Sequence, residues 1–210
     1  MEPVLARWNM VERQLAARGI RDHRVLQAMT DIPRDRFLAP EQAALAYDDA
    51  PVSIGFGQTI SQPYMVAMMA ELLELGSNDR VLEVGTGCGY AAAVYARLCA
   101  KVISLELIPE LAARATATLL ELGILNVTVV CADGTRGYQG GGLFDGIAVA
   151  AAAEEEPPAL LAQLAVGGRM VMPVGPPDEQ QLILSRRTAA GFNRRETGAC
   201  RFVPLRSKRA

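Results

Sequence analysis

Short apolar runs alternate with helical stretches through the middle of the chain, and this alternation limits the possible folds more than any other feature. The runs are continuously apolar, which is typical of strands buried on both faces of a sheet. The expected strands are 80–84, 102–106, 127–132, 144–150 and 168–173, and the expected helices are 90–99, 109–122 and 158–164. Strands and helices in this order predict an α/β fold in which helices cover a mostly parallel sheet.

The N-terminal part of the chain reads as helical. Apolar residues recur at helical spacing over 4–29. Within this stretch Gly19 is expected to stop the first helix, and Asp22 is expected to cap a second one. A further helix is expected over 64–75, because Pro63 suits a first helical turn and apolar residues follow it at helical spacing.

Residues 35–58 and the C-terminal part depart from this pattern. The first of these segments contains many turn formers and no long period, so an irregular excursion is expected there. Its larger apolar side chains need burial: Phe37, Tyr47, Ile54 and Phe56. Beyond Gly175 two strands are expected, 181–186 and 200–205, joined through Gly191 with no helix between them. Such a connection gives the sheet an antiparallel end.

The charge balance gives no sign of a polyanionic partner. The formal net charge is −2 at pH 7, so there is no basic excess to attract nucleic acid or an anionic membrane. Arg206, Lys208 and Arg209 form a small basic tail that we interpret as a solvated terminus. No apolar run is long enough to span a bilayer, and the first residues have no apolar segment of a secretory signal. We therefore expect a cytoplasmic protein without a nucleic-acid or membrane partner.

The histidine and cysteine content argues against a metal site. His23 is the only histidine, and its polar neighbours predict a surface position. The cysteines occur at no metal-ligand spacing, so we interpret them as small buried residues of a reduced protein. They are Cys88, Cys99, Cys131 and Cys200. No metal is therefore predicted.

A glycine-rich turn follows the first strand of the alternating part. Gly85, Gly87 and Gly89 stand at alternate positions between strand and helix, which permits a tight turn and a close approach of a ligand to the backbone. A dinucleotide fingerprint has a small residue where this chain has Tyr90, and no P-loop pattern occurs. Because the turn contains neither lysine nor arginine, a ligand without phosphates is favoured.

Carboxylates stand at the ends of the next two strands. Glu106 ends the second strand, where a carboxylate can accept both hydroxyls of a ribose. Asp133 and Gly134 follow the third strand, a position that suits a polar edge such as an adenine amino group. Because the carboxyl ends of parallel strands share one edge, these residues and the glycine turn are expected to border one crevice.

Several segments, in this order along nearly the whole chain, resemble the protein-L-isoaspartate O-methyltransferases. The matching segments are 53–64 (SIGFGQTISQPY), 81–90 (VLEVGTGCGY), the strand ending in Glu106, 133–134 (DG), 144–145 (FD), 158–161 (PALL), 167–168 (GG), 171–175 (VMPVG) and 201–205 (RFVPL). Many methyltransferases share the glycine motif. The GQTIS-x-P motif and the RFVPL motif are far more specific to this one family.

The resemblance implies a Rossmann-like, S-adenosylmethionine-dependent methyltransferase with a seven-stranded, mostly parallel sheet, helices on both faces and an antiparallel C-terminal end. The length of 210 residues fits one domain over 1–210. Residues 1–60 would supply N-terminal helices and a substrate-side loop, residues 61–175 the cofactor-binding core, and residues 176–210 the antiparallel strands. It also implies action on L-isoaspartyl residues of damaged proteins and peptides. We expect a monomer. The methyl ester product would collapse to a succinimide, which reopens in part to normal aspartate.

The same resemblance assigns site residues. Ser61 would be catalytic and would bind substrate together with Val203 and Pro204. The residues implied for the cofactor are Gln58, Thr59, Ile60, Glu83, Gly85, Thr86, Gly87, Cys88, Gly89, Glu106, Leu107, Asp133 and Gly134. Two departures affect these expectations. Cys88 stands where serine is commoner, and segment 150–156 reads AAAAEEE where an early threonine is usual.

The expected chemistry needs few reactive side chains. A substrate carboxylate has an unperturbed pKa of about 4, so it is ionised at neutral pH and needs no general base. We expect Ser61 to aim this carboxylate, with help from Thr59. As an alternative, Ser61 only caps the helix that starts near Pro63. Three other functions stay open: a methyltransferase of another small-molecule or peptide carboxylate, a nicotinamide-dependent reductase, and an inactive module that binds isoaspartyl sites.

Overall fold

The N-terminal part is helical, as predicted. The computed structural model describes residues 3–207, so Lys208 and Arg209 of the basic tail lie outside the described residues. The first helices are α1 (Pro3–Asn9), which continues as a π-helical turn (Met10–Leu15), and α2 (His23–Asp31). Gly19 ends the first helical stretch at a φ of 104°, and the Asp22 side chain caps α2 by accepting a hydrogen bond from the Arg24 amide. The predicted stop and cap are therefore confirmed.

The segment expected to be irregular contains a small hairpin. Two short 3-10 turns come first (Arg34–Phe37 and Pro40–Leu45), followed by the antiparallel strands β1 (Val52–Gly55) and β2 (Gln58–Ile60). Phe56 and Gly57 form the turn with φ values of 55° and 69°, as in a type I′ hairpin. Phe37, Tyr47 and Ile54 are buried, but Phe56 is 52% exposed at the hairpin tip, so its predicted burial is wrong.

A seven-stranded sheet forms the centre of the protein. Its strands are β3 (Arg80–Val84), β4 (Lys101–Glu106), β5 (Val127–Cys131), β6 (Phe144–Val149), β7 (Leu164–Val174), β8 (Gln180–Thr188) and β9 (Gly191–Cys200). The spatial order is β5-β4-β3-β6-β7-β8-β9. The first five strands in this order are parallel, and β8 and β9 are antiparallel additions. The predicted sheet with its antiparallel end is confirmed.

Helices cover both faces of this sheet. The remaining helices are α3 (Pro63–Leu73), α4 (Tyr90–Ala96), α5 (Pro109–Glu121) and α6 (Pro158–Ala162). One core joins Val81 and Val102 of the sheet to buried side chains of α2, α3, α4 and α5. Leu82 and Val84 belong to a second core, which includes Leu160 of α6. Alternate residues of one strand thus enter different cores, as strand geometry requires.

The last strand does not lie where the sequence predicted it. A strand was expected over 200–205, but β9 covers Gly191–Cys200. This strand is at the sheet edge, and its mostly exposed polar residues gave no apolar alternation to detect. Residues 201–205 instead run beside the segment after β6. There the Ala152 amide donates to the Val203 carbonyl (2.8 Å) and the Leu205 amide donates to the Ala152 carbonyl (2.7 Å).

Two further expectations concern the surface. His23 is exposed, as predicted. Cys88 and Cys99 are buried, but Cys131 is exposed, because it ends β5 at the opposite edge of the sheet. Within residues 3–207, none of the helices has the length and apolar character of a membrane span.

Candidate active site

A cleft opens at the carboxyl ends of the central strands. β4 and β5 lie on one side of β3 and β6 lies on the other, so the chain reverses its direction of winding between β3 and β6. Open α/β sheets bind ligands at such a switch point. The residues that line the cleft are Gln58, Thr59, Ile60, Ser61, Val66, Val84, Gly85, Thr86, Gly87, Cys88, Tyr90, Ala91, Leu105, Glu106, Leu107, Ile108, Gly134, Ala150, Ala151, Val203, Pro204, Leu205 and Arg206.

The glycine turn has the backbone conformation that its sequence predicted. Gly85, Gly87 and Gly89 have φ values of 93°, 55° and 92°, a region that strongly favours glycine. The Gly85 amide donates to the carbonyl of Leu105 at 2.9 Å, which fixes the turn to β4. A Cβ atom on Gly87 would lie 3.1 Å from Cδ1 of Ile54. The hairpin and the glycine turn are therefore close neighbours, as the predicted site requires.

The Glu106 carboxylate is held by two backbone donors. Its Oε2 accepts a hydrogen bond from the Gly87 amide (2.8 Å), and its Oε1 accepts one from the Ile108 amide (3.0 Å). The residue is only 6% exposed, but it lines the cleft. Each carboxylate oxygen can accept a second hydrogen bond. The geometry thus leaves two fixed acceptor positions beside the glycine turn, an arrangement that suits a pair of neighbouring hydroxyls.

Glu83 lies beneath the cleft instead of lining it. It is 1% exposed, and its Oε2 is hydrogen-bonded to the hydroxyl of Ser104, which in turn is 2.5 Å from the hydroxyl of Thr86. Among the described residues its Oε1 has no partner. Burial raises the pKa of Glu83 to about 8, the nearby charge of Glu106 adds to the rise, and the Ser104 hydrogen bond opposes it. Glu83 is therefore mostly a neutral acid at pH 7.

The Asp133 carboxylate is directed to its own loop. Its Oδ1 accepts hydrogen bonds from the amide (3.0 Å) and the hydroxyl (2.6 Å) of Thr135. Asp133 thereby caps a short 3-10 turn over Gly134–Arg136. Gly134 lines the cleft, whereas Asp133 and Gly89 do not. The cofactor roles expected for these three residues stay predictions.

Ser61 lies in the wall of the cleft, just after β2. Its side chain makes no hydrogen bond to any residue within 3–207. The N-cap residue of α3 is Gln62, and its side chain makes no capping hydrogen bond. The alternative in which Ser61 acts only as a helix cap is therefore wrong. Its partly buried hydroxyl, which has no partner in the described part of the chain, thus lines the same cleft as the glycine turn.

The sequence did not identify several other residues of the wall. They are Val66, Val84, Tyr90, Ala91, Leu105, Ile108, Ala150, Ala151, Leu205 and Arg206. Ala150 and Ala151 follow β6, so the switch-point rule could have found them. Tyr90 is fixed by the guanidinium of Arg34, 4.8 Å from its ring centroid, and by an edge contact with Phe37. Burial raises the pKa of the Cys88 thiol to about 11, so this wall residue is neutral.

A family model described as protein-L-isoaspartate(D-aspartate) O-methyltransferase matches residues 6–210. The Marinobacter nauticus protein-L-isoaspartate O-methyltransferase 2 is 52% identical over 198 residues, covering 93% of this chain and 90% of that one. The Geobacter metallireducens protein-L-isoaspartate O-methyltransferase is 46% identical over 205 residues, covering 97% and 95%.

A solved structure shows the same relationship. The Plasmodium falciparum structure is described as a protein-L-isoaspartate O-methyltransferase in complex with S-adenosyl-L-homocysteine. It matches with a TM-score of 0.83 and 26% identity, covering 95% of this chain and 98% of that one. With 95% of this chain covered, the match is not limited to the glycine turn. The chain therefore belongs to the protein-L-isoaspartate(D-aspartate) O-methyltransferase family.

Proposed function

We propose that this protein is a repair methyltransferase that transfers a methyl group from S-adenosylmethionine to the carboxylate of L-isoaspartyl residues in damaged proteins and peptides. The observation that carries the proposal is the Ser61 hydroxyl, which has no hydrogen-bond partner within residues 3–207 and shares one cleft with the glycine turn and Glu106. Membership of the family supports the same activity.

The donor residues of the cleft fit S-adenosylmethionine. The two acceptor positions of Glu106 suit the ribose hydroxyls, and the positive-φ glycines leave room for a ligand against the backbone. The turn 85–90 carries no lysine or arginine, as expected for a ligand without phosphates. Apolar side chains of Leu107 and Ile108 line the same cleft and can cover a purine ring. We propose a cofactor role also for the other predicted residues that line the cleft: Gln58, Thr59, Ile60, Gly85, Thr86, Gly87, Cys88 and Gly134.

The reaction needs positioning more than acid–base chemistry. When bound, S-adenosylmethionine supplies a methyl group that is activated by its sulfonium. In our proposal Ser61 donates a hydrogen bond to one oxygen of the substrate carboxylate and directs the other oxygen toward the methyl carbon. Val203 and Pro204 border the path of the peptide. Orienting two reactants in this way can contribute roughly 7–11 kcal/mol to catalysis. The carboxylate is already ionised, so no protein base has to remove a proton.

Other properties of the protein follow from this proposal. We infer a cytoplasmic monomer whose partners are isoaspartyl proteins and peptides, without nucleic acid or membrane as a partner. We also infer that residues 1–210 act as one methyltransferase domain. In it, residues 1–60 provide the substrate side, 61–175 the cofactor-binding core, and 176–210 the antiparallel strands.

The test uses two peptides that differ only in one linkage. Labelled S-adenosylmethionine is incubated with the protein and either an isoaspartyl peptide or its aspartyl twin. We expect base-labile label in the isoaspartyl peptide alone. Equal labelling of both peptides, or of neither, would contradict the proposed substrate.

A Ser61→Ala variant tests the role of the hydroxyl. We expect turnover to fall about tenfold or more, because the carboxylate loses its aiming contact. Thermal stability should not change, since the hydroxyl makes no hydrogen bond inside the described part of the protein. Lower stability with normal turnover would show that Ser61 is structural.

A further inference from the structure

The first turn of α3 has a complete set of hydrogen bonds without Ser61. Pro63 has no amide proton, and the Met65 and Val66 amides donate to the carbonyl of Gln62 at 3.1 and 3.3 Å. The remaining amide, that of Tyr64, donates to Oδ1 of Asp49 at 3.2 Å. The first amides of a helix need such external partners. Asp49, from a distant position in the sequence, thus supplies the side-chain cap that a neighbouring residue would normally provide.

This cap closes a loop around the substrate side of the cleft. Asp49 lies immediately before the hairpin, and Tyr64 lies in the first turn of α3, so the Asp49–Tyr64 bond joins both ends of segment 50–63. That segment contains β1, β2 and Ser61. Because the bond fixes where the segment leaves and returns, it also limits where the Ser61 hydroxyl can lie relative to the glycine turn.

Arg18 covers this contact from outside. Its guanidinium lies 3.7 Å from the centroid of the Tyr64 ring and forms an ion pair with Oδ2 of Asp49. The two carboxylate oxygens of Asp49 therefore have separate partners: one caps α3 and the other binds Arg18. The Asp49 side chain is 23% exposed and that of Arg18 is 44% exposed. The ion pair can therefore be removed while the cap is kept.

We propose that Asp49 is a positioning residue for methyl transfer: by capping α3 through the Tyr64 amide, it leaves the Ser61 hydroxyl free and holds it at the substrate side of the cleft. This inference rests on the proposed function. Its effect is on placement of the substrate carboxylate, so kcat for the isoaspartyl peptide should fall when the cap is lost. Most of the cofactor side is built from β3, β4 and their turns, and segment 50–63 adds only Gln58, Thr59 and Ile60 to it. The KM for S-adenosylmethionine should therefore change less than kcat.

Three variants separate the cap from the charge. Asp49→Ala removes both interactions, and Asp49→Asn keeps an oxygen that can cap the helix. Arg18→Met removes the ion pair and the contact with the Tyr64 ring but keeps the cap. We expect kcat to fall about tenfold or more in Asp49→Ala, since small displacements of reacting groups are costly. Asp49→Asn should restore kcat to within about threefold of wild type, because asparagine caps helices as well as aspartate. Arg18→Met should behave similarly.

Hydrogen exchange of the Tyr64 amide provides a readout that does not need turnover. Its protection should be lost in Asp49→Ala and kept in the other two variants, with all proteins folded by circular dichroism at the assay temperature. Equal loss of kcat in Asp49→Asn and Asp49→Ala, or normal kcat in Asp49→Ala, would overturn the proposal. An unreactive wild type would instead refute the proposed function, and the exchange data would still decide whether Asp49 holds the loop.

Discussion

Replacing Glu83 by glutamine should change how the stability of the protein depends on pH. Burial raises the pKa of this carboxyl to about 8, from an ordinary value of 4.5 in the unfolded chain. Between these two pH values the folded protein keeps a proton that the unfolded chain releases. The stability contribution of this group is thus fully present below about pH 4.5 and is lost as the pH rises through about 8.

The expected magnitude follows from the shift. Each unit of pH in this window changes the free energy of unfolding by roughly 1.4 kcal/mol for one proton, so wild type loses about 4 kcal/mol from pH 5 to pH 8 at this site. Glutamine cannot ionise, and its amide can still hydrogen-bond to Ser104. The variant should therefore be similar to wild type at pH 5 and more stable by about 4 kcal/mol at pH 8. Glu106, Tyr95 and Cys88 are the titratable neighbours, and all three are present in both proteins.

Urea unfolding at pH 5, 6, 7 and 8 measures this difference. Other titrating groups cancel when the variant is compared with wild type at each pH. Glu155→Gln is a matched control at an exposed position, and it should give no pH-dependent difference. A difference between Glu83→Gln and wild type that stays constant from pH 5 to pH 8 would refute the reasoning, because Glu83 would then titrate near its ordinary value.

Three further substitutions test the cleft. Glu106→Gln should weaken binding of S-adenosylhomocysteine about tenfold or more by calorimetry, because one of the two acceptor oxygens becomes an NH2 donor; unchanged affinity would exclude this carboxylate from the site. Gly134→Ala would put a Cβ atom 2.3 Å from Cγ1 of Val84, so we expect a loss of about 1–3 kcal/mol in urea unfolding, and an unchanged midpoint would show that the loop can yield. Cys88→Ser should tighten cofactor binding up to about threefold, because a hydroxyl is a better donor than a neutral thiol; weaker binding would mean that the cleft is shaped for sulfur.

The sheet could be predicted because its central strands are buried on both faces. Such strands are continuously apolar, and the predicted bounds of β3, Arg80–Val84, agree with the structure. The same signal fails for β9, whose edge position leaves polar residues exposed. It also fails for the β1–β2 hairpin, because Phe56 in its turn is not a residue that usually marks a turn.

The candidate site was predictable where backbone geometry determines it. Glycines at alternate positions after a strand predict a tight turn, and the strand-end position of Glu106 predicts its place beside that turn. Whether the carboxylate of a strand residue lines the cleft, as in Glu106, or is buried beneath it, as in Glu83, depends on which helices and loops pack over that residue. For Glu83 that cover comes from tertiary packing, which the local pattern does not contain. Asp49 is one of the turn formers of segment 35–58, and no local pattern predicts its cap, because its partner Tyr64 lies beyond the hairpin.

A neutral Glu83 also bears on how an anionic substrate can enter this cleft. While Glu83 stays protonated, it adds no negative charge beneath the site. Above about pH 8 Glu83 ionises and places a negative charge there, which should repel the substrate carboxylate.

We therefore expect the KM for an isoaspartyl peptide to rise several-fold between pH 7 and pH 9 in wild type but not in Glu83→Gln. A peptide with a blocked N-terminus and no histidine, cysteine or lysine keeps the substrate charge constant over this range. Parallel pH profiles for the two proteins would mean that the charge of Glu83 does not reach the substrate. The pH dependence would then have to come from groups that line the cleft directly.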